Sequence, residues 1–256
     1  MKLAVREAGD ARGLPVVLLH AFPMSSAMWE PQLEALKAYR VVLPDFRGFG
    51  ATPLSAPWFI EHAVDDLFES LSAVGVEKAV LVGLSMGGYV ALRAVEKNPS
   101  RVRALVLCDT RAEADANESK IKRAAAVDFV RARGAAAFLE PFLNDALASR
   151  TRTEKPKVVE FLRNVALRAS PEAVMAALAA LAARGDATAA LSGVKVPAAV
   201  LVGSQDKVTP LPLAEVMRAR IPGAELHLIP DAGHFSNVEN PEAFNERLVS
   251  FLQRLL

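Results

Sequence analysis

The stretch Lys78–Glu96, KAVLVGLSMGGYVALRAVE, decides the fold of this chain. Its apolar start, Ala79–Val82, is typical of a buried strand, and the residues that close the stretch have helical spacing. The segment Gly83–Gly87, GLSMG, joins the two through a turn so tight that its central residue must adopt a strained backbone conformation. That turn exposes the Ser85 hydroxyl above the sheet edge and aims the Met86 amide where an oxyanion would form. The pattern predicts a nucleophile elbow.

The pentapeptide alone does not decide between functions. A Gly-x-Ser-x-Gly segment occurs by chance in roughly one chain in ten of this length. A glycine-rich strand-to-helix turn and a phosphate cradle are equally compatible with these five residues. The partners of Ser85 must therefore come from the rest of the chain.

The composition limits the class of protein. A chain of 256 residues, 52% of them hydrophobic, has the size of one large α/β domain, with or without an insertion. The 30 Lys and Arg residues balance 29 Asp and Glu, which gives no support to a nucleic-acid or membrane-surface partner. The single cysteine, Cys108, excludes an internal disulfide, and neither a signal peptide nor a long apolar run is present. We expect a soluble cytoplasmic protein that is a monomer or a homodimer.

Short apolar runs alternate with amphipathic stretches along most of the chain. The predicted strands are Lys2–Glu7, Pro15–Leu19, Arg40–Leu43, Ala79–Val82, Val102–Cys108, Pro197–Val202 and Ala224–Ile229. Helices are predicted after Ser25 or Ser26, from Phe59 to Val74, at Leu213–Arg220 and at Pro241–Leu256. This alternation predicts the α/β class: a mostly parallel sheet with helices on both faces.

Residues 111–190 break the alternation, because they are rich in Ala, Arg, Glu and Leu and contain no convincing strand. Five breaks divide this segment into roughly four predicted helices: Gly134, Pro141, Pro156, Pro171 and Gly185. Its place between two strands predicts a lid over the sheet edge, and an ordinary helical subdomain is the alternative. The predicted organisation is a discontinuous α/β core, residues 1–110 and 191–256, with a helical cap, residues 111–190.

Nucleophilic catalysis by serine needs a base to take its proton and a carboxylate to hold that base. In a doubly wound sheet such residues gather just past the C-terminal ends of the strands. Ser85, Asp206 and His234 each follow such an end, and they occur in the order expected for this topology. We predict them as nucleophile, acid and base. For the oxyanion, the predicted donors are the amides of Met86 and Phe22, the latter in the loop after Leu19; a plain connecting turn is the alternative for that loop.

Other residues compete for these roles. Asp109 follows the strand after the elbow and is an alternative acid. His20 also follows a strand, but its neighbours favour support of the oxyanion loop over catalysis. Cys108 lies in an apolar strand without an elbow and is predicted to be core. Turn, capping or packing roles are predicted for the remaining candidates, Asp45, Asp231, His62 and His227.

The placed residues extend into longer motifs. These are His20-Ala21-Phe22-Pro23, Asp45-Phe46-Arg47-Gly48-Phe49-Gly50, Gly83–Gly88, Gly203–Pro210 and Gly233-His234-Phe235. With them the chain resembles the α/β-hydrolase superfamily over almost its full length, and it is most similar to the group of carboxylesterases, enol-lactonases, C–C bond hydrolases and cofactor-free haloperoxidases. The resemblance implies an eight-stranded sheet or nearly so, a helical cap after the sixth strand, and neither a metal nor an organic cofactor. Ala21 departs from the family, which usually has glycine there; a positive φ would cost an alanine roughly 1–2 kcal/mol.

The resemblance also narrows the reaction. Ser85 argues against the related dehalogenases and epoxide hydrolases, which have an aspartate at the elbow. The insertion's phenylalanines suit a hydrophobic acyl or alcohol group, with core packing as the alternative: Phe129, Phe138, Phe142 and Phe161. The predicted substrate contacts are Phe22, Met86, Phe129, Phe138, Phe142, Val208 and Phe235.

The predicted function is hydrolysis of a small, largely apolar carboxylic ester through an acyl-enzyme on Ser85. Enol-lactone opening, C–C bond cleavage and perhydrolysis on the same triad are alternatives. A hydrolase-like receptor for a small ligand is a further alternative of a different class. The predicted partner is a small ester or lactone, with no nucleic acid and no membrane.

Overall fold

The computed structural model describes all 256 residues and contains one seven-stranded sheet. Its strands are β1 Val5–Gly9, β2 Pro15–Leu19, β3 Arg40–Pro44, β4 Ala79–Leu84, β5 Val102–Cys108, β6 Ala198–Gly203 and β7 Glu225–Ile229. They lie in the order β1-β3-β2-β4-β5-β6-β7, and only β1 runs antiparallel to its neighbour. The predicted mostly parallel sheet is confirmed, with seven strands where eight or nearly so were expected.

Helices cover both faces of the sheet. They are α1 Ile60–Ala73, α2 Met86–Lys97, α3 Asn117–Arg133, α4 Ala135–Ala146, α5 Ser149–Glu154, α6 Pro156–Ala166, α7 Pro171–Ala183, α8 Leu211–Arg220, α9 Ser236–Glu239 and α10 Pro241–Gln253. Short 3-10 helices occur at Ser26–Gln32, Pro99–Arg101 and Thr188–Gly193. Alternate residues of β2 belong to different apolar clusters, Val17 and Leu19 to one and Val16 and Leu18 to the other, as a sheet buried on both faces requires.

Two local predictions are wrong. The helix expected after Ser25 or Ser26 is the 3-10 helix Ser26–Gln32 followed by turns, and neither serine side chain caps it. Pro31 lies inside that segment, and its missing N–H prevents a regular α-helix there. Pro141, expected to be a break, lies inside α4. The apolar face of α4, which buries Leu139 and Leu143, outweighs the backbone hydrogen bond that the proline removes.

Residues 111–190 contain five helices, α3 to α7, where roughly four were predicted. They stand between β5 and β6, so the insertion follows the fifth strand and not the sixth. Arg184, just past α7, ties this segment to the elbow helix. Its guanidinium lies 2.9 Å from Asp115 and 4.2 Å from the centre of the Tyr89 ring on α2. With its side chain only 3% exposed, Arg184 is a buried connection between insertion and core.

No single helix has both the length and the apolar composition needed to cross a membrane. Only α6 and α7 taken together reach that length and composition, and the two are bent by 92° relative to each other.

The elbow depends on close backbone contact between β2, β4 and α2. A Cβ built on Gly87 would lie 2.1 Å from the carbonyl oxygen of Leu19, and one on Gly83 would lie 2.3 Å from that of Gly87. Neither neighbour is a flexible side chain that could move away. The two glycines therefore set how closely the strands and the helix approach each other.

Replacing Gly87 by alanine is expected to destabilise the protein, because the new methyl group meets backbone atoms of β2. We expect a loss of about 3 kcal/mol and a fall in Tm of roughly 6–12 °C. Gly193→Ala is the matched control, since a Cβ there has no atom within 4 Å. Thermal unfolding followed by circular dichroism measures both variants. Equal Tm values for them would contradict this account of the elbow.

Candidate active site

Ser85 sits at the sharp turn between β4 and α2 with φ 52° and ψ −111°, a conformation that L-residues rarely adopt. Neighbouring groups hold it there. Its amide donates to Cys108 O at 2.9 Å, and the Thr110 hydroxyl donates to Ser85 O at 2.8 Å. Strain of this kind persists only where the surrounding structure fixes it. The backbone conformation expected at the elbow is therefore present.

The structure brings Ser85, Asp206 and His234 together. His234 Nε2 lies 2.9 Å from Ser85 Oγ, and His234 Nδ1 lies 2.9 Å from Asp206 Oδ2. A carboxylate accepts only, so Nδ1 carries the proton that it donates to Asp206, and Nε2 is left to accept the hydroxyl proton. These are the contacts that serine activation needs.

Burial and charge act in opposite directions on this pair. Burial lowers the pKa of His234, but the charge of Asp206 and the hydrogen bond to it raise that pKa above its ordinary value, with smaller contributions from Asp109 and Glu239. Burial raises the pKa of Asp206, but the charge and hydrogen bond of His234 and the bonds from Thr209 bring it below its ordinary value. Asp206 is thus ionised at neutral pH, and His234 is a stronger base than a free imidazole.

The Asp206 carboxylate is fixed by its own loop. Oδ1 accepts from the amides of Val208 and Thr209 at 2.8 and 3.0 Å, and Oδ2 accepts from the Thr209 hydroxyl at 2.6 Å. Thr209 was not among the predicted site residues, although an aspartate followed three residues later by a threonine indicates such a turn.

Glu239, also missed, holds the loop of His234. Its fully buried carboxylate accepts from the amides of Gly233 and Phe235 at 3.0 and 3.2 Å, and from Ala148 of the insertion at 2.8 Å. In the sequence Glu239 is only an acidic residue in a helical stretch, so no local signal identifies it.

Asp109, the alternative acid, makes no hydrogen bond with His234, whose Nδ1 is bonded to Asp206. It is fully buried at φ 44°, and it accepts from Gly203 N at 2.7 Å and from the Ser236 hydroxyl. Burial, together with the charge of Asp206, raises the pKa of Asp109 well above its ordinary value. Asp109 therefore links the end of β6 to the histidine loop.

The loop after β2 is held by His20. Phe46 N donates to His20 Nε2 at 3.0 Å, so the ring proton is on Nδ1, which donates to Ala21 O at 2.9 Å. Burial lowers the pKa of His20, which keeps the ring neutral. Ala21 does not have a positive φ. The strain that a positive φ would cause at an alanine in place of glycine is therefore absent.

Two amides stand near Ser85 without an acceptor in the protein. Phe22 N makes no hydrogen bond within the chain, and Met86, as the first residue of α2, has no intrahelical acceptor for its N–H. Phe22 lines the cavity that contains Ser85, whereas the Met86 side chain is buried in the core.

The cavity above Ser85 and His234 has a volume of about 310 Å³. Its apolar lining includes four of the predicted substrate contacts, Phe22, Phe138, Phe142 and Val208, and also two leucines of the insertion, Leu178 and Leu181. The rings of Phe138 and Phe142 stack at 6.3 Å, and Phe142 meets Phe22 edge-on at 5.9 Å. Helices of the insertion and loops of the core therefore share this wall.

Three of the predicted substrate contacts, Phe129, Phe235 and Met86, are wrong, because their side chains do not line the cavity. Phe129 is 45% exposed and does not line the cavity, because the cavity lies against the earlier turns of α3, between Ser119 and Ala126. Phe235 is fully buried and packs against the His234 ring at 5.5 Å, in the core and not in the cavity. The Met86 side chain is fully buried in the core and does not line the cavity. Phe161, for which a substrate contact or core packing was predicted, packs against the apolar cluster that contains Val16 and Leu18.

The polar part of the cavity was not predicted from the sequence. Arg111, Asp115, Ser119, Lys122 and Arg123 all line it. Arg111 follows a strand end, and the last three lie at i, i+3 and i+4 on one face of α3, so helical spacing contained a signal. Which face of α3 is turned toward the cavity depends on the lengths of the helices in the insertion and on the bends between them. That spacing does not reveal either of these.

The remaining candidates have structural surroundings. Cys108 is buried in β5, Asp45 accepts from Ser26 N and Ala51 N, and Asp231 occupies a turn at φ 52°. His227 lies 3.0 Å from Glu225, and His62 contacts Phe59 near the start of α1. No group of three or more His, Cys, Asp or Glu side chains is arranged to hold a metal ion.

Comparison with known proteins agrees with this fold. Residues 15–241 match the family model described as the alpha/beta hydrolase fold. The chain is similar to a thermophilic esterase from Thermogutta terrifontis, with 38% identity, a TM-score of 0.94 and coverage of 99% of this chain and 93% of that one. The enol-lactonase from Burkholderia xenovorans LB400 has 27% identity and a TM-score of 0.91, over 98% and 96% of the two chains. The 3-oxoadipate enol-lactonase 1 of Acinetobacter baylyi is 28% identical over 99% of this chain and 94% of its own length. The chain therefore belongs to the α/β-hydrolase family of enzymes.

Proposed function

We propose that the protein hydrolyses a small carboxylic ester or lactone through an acyl-enzyme on Ser85. One observation carries the proposal: the hydroxyl of Ser85 lies 2.9 Å from an imidazole that is itself 2.9 Å from a buried carboxylate. Ser85 and His234 line a cavity of a size that suits a small substrate. The similarity to an esterase and to enol-lactonases supports acyl transfer among the reactions open to such a site.

In the proposed first step, Ser85 Oγ attacks the carbonyl carbon while His234 Nε2 takes the hydroxyl proton. Asp206 stabilises the imidazolium that forms. The amides of Met86 and Phe22 donate to the tetrahedral oxyanion. His234 then returns the proton to the departing alkoxide, which leaves an acyl group on Ser85.

In the second step a water molecule takes the place of the Ser85 hydroxyl as the attacking group. His234 takes its proton as the water attacks the acyl carbon, and the proton passes to Ser85 Oγ as that bond breaks. The carboxylic acid departs and the free serine is restored. A lactone follows the same path, except that the alcohol remains attached to the acyl group.

We further propose that residues 111–190 act as a cap. Phe138 and Phe142 on α4 and Leu178 on α7 line the cavity above Ser85, so this segment limits which acyl and alcohol groups enter. At about 310 Å³ the cavity is near the lower end of ligand sites, which favours short substrates.

Ser85→Ala is expected to lower kcat for p-nitrophenyl butyrate by about 10⁴-fold or more, because Ser85 has the only hydroxyl hydrogen-bonded to His234 Nε2. Release of p-nitrophenol measures the rate, and circular dichroism checks that the variant is folded. Ser250→Ala, at an exposed position on α10, is the control and should keep its activity. Turnover by Ser85→Ala at the control's rate would refute the role of Ser85.

The pH dependence of kcat/KM tests His234. The base works only as neutral imidazole, so kcat/KM should rise with pH through the pKa of His234. Since the Asp206 charge and hydrogen bond raise that pKa despite burial, the midpoint should lie above the ordinary histidine value of about 6.5. Initial rates between about pH 5 and 9 measure the midpoint. A midpoint at or below the ordinary histidine value would contradict the proposed interaction with Asp206.

A further inference from the structure

Three cations of the insertion line the cavity that contains Ser85. We call Arg111, Lys122 and Arg123 the basic wall. Arg111 lies just past β5, and the other two lie on α3. An apolar ester needs none of these charges. They are the feature of the site that the proposed function leaves unexplained.

The basic wall is not neutralised by the protein. Asp115 is the only carboxylate that lines the cavity, and Arg111, Arg123 and the buried Arg184 share it. The lining of the cavity thus contains three cations, Arg111, Lys122 and Arg123, and one carboxylate. Burial would raise the pKa of Asp115, but the hydrogen bond from Arg123 and the three guanidinium charges lower it. Asp115 is therefore ionised and the wall keeps an excess of positive charge.

The wall also has donors that the protein does not use. Arg111 Nε is buried and has no hydrogen-bond partner. Arg111 and Arg123 each contact Asp115, through Nη2 and Nε respectively, and the side chain of Lys122 makes no ion pair or hydrogen bond. Buried donors in native proteins nearly always have acceptors, and a guanidinium favours a planar anion with two oxygens. Ser119, on the same face of α3, adds a hydroxyl to the lining.

We propose that the basic wall binds a carboxylate on the part of the substrate remote from the scissile bond. The preferred substrates are then half-esters or lactones of short dicarboxylic acids. The methylenes contact Phe138, Phe142 and Leu178, and the free carboxylate meets Arg111. This inference rests on the proposed function and refines it, since the sequence analysis predicted a largely apolar ester.

A matched pair of substrates tests the proposal. Monoethyl adipate carries the carboxylate, and ethyl 6-methylheptanoate has an isopropyl group of similar shape in its place. Ethanol release at constant pH gives kcat/KM for each. We expect the half-ester to be preferred about tenfold or more, and the preference to shrink as salt is added. Equal rates, or a preference for the neutral ester, would overturn the proposal.

Substitutions in the basic wall test whether its residues cause the preference for the half-ester. The ratio of kcat/KM for the half-ester to that for the neutral ester should fall about tenfold or more in Arg111→Gln and about threefold in Lys122→Gln. Lys122 has no partner in the protein, so its variant carries little risk to folding. Arg131→Gln is the control, because Arg131 is exposed on α3 and pairs only with Asp128. A ratio that Arg111→Gln and Lys122→Gln leave at the control's value would overturn the assignment.

Binding without turnover separates this inference from the proposed function. Calorimetry with Ser85→Ala should show tighter binding of monoethyl adipate than of the neutral ester, and a second change, Arg111→Gln, should abolish the difference. If the wild type cleaves neither ester but this difference is found, the anion site stands and the proposed function falls. If both esters are cleaved equally and bind equally, the proposed function stands and the anion site falls.

Discussion

The position of the Ser85 hydroxyl depends on backbone packed directly against backbone at the elbow. Gly83 and Gly87 let β2, β4 and α2 approach so closely that no side chain fits between them. The amide of Ser85 bonds to β5 through Cys108 O, which fixes the residue in its strained conformation. Because main-chain contacts hold Ser85, we expect its position not to depend on the side chains that line the cavity. The chemistry of the site is thus separated from its selectivity.

The loops of the other two residues of the proposed triad, Asp206 and His234, are held by buried carboxylates outside it. Asp109 joins the end of β6, just before the Asp206 loop, to Ser236 beside the histidine. Glu239 joins both sides of His234 to Ala148. Each carboxylate connects segments distant in sequence through several hydrogen bonds, which orders loops that would otherwise be mobile. The insertion takes part in this order, because Ala148 belongs to it.

Much of the core was predictable because its signals are local. Short apolar runs bounded by turn residues predict the strands of the sheet. Because parallel strands bring their carboxyl ends to one edge, the positions of Ser85, Asp206 and His234 just past strand ends predicted that they lie together. The insertion was less predictable. Pro141 stays within α4 because tertiary packing outweighs a local helix breaker, and Phe129 faces solvent because helix orientation is set by contacts and not by residue type. The partners of Asp109 and Glu239, and the direction of Arg111, depend on contacts between segments far apart in the chain, for which no short pattern exists.

The central claim is that Ser85 is the one hydroxyl activated for attack, and covalent labelling tests it most directly. Diethyl p-nitrophenyl phosphate presents a tetrahedral phosphorus that an activated serine displaces from p-nitrophenolate. Peptide mass spectrometry of the inhibited enzyme should find one diethylphosphoryl group on the peptide containing Ser85, with activity lost in proportion. An unmodified Ser85 in the inactivated enzyme, or a label on another residue, would contradict the account.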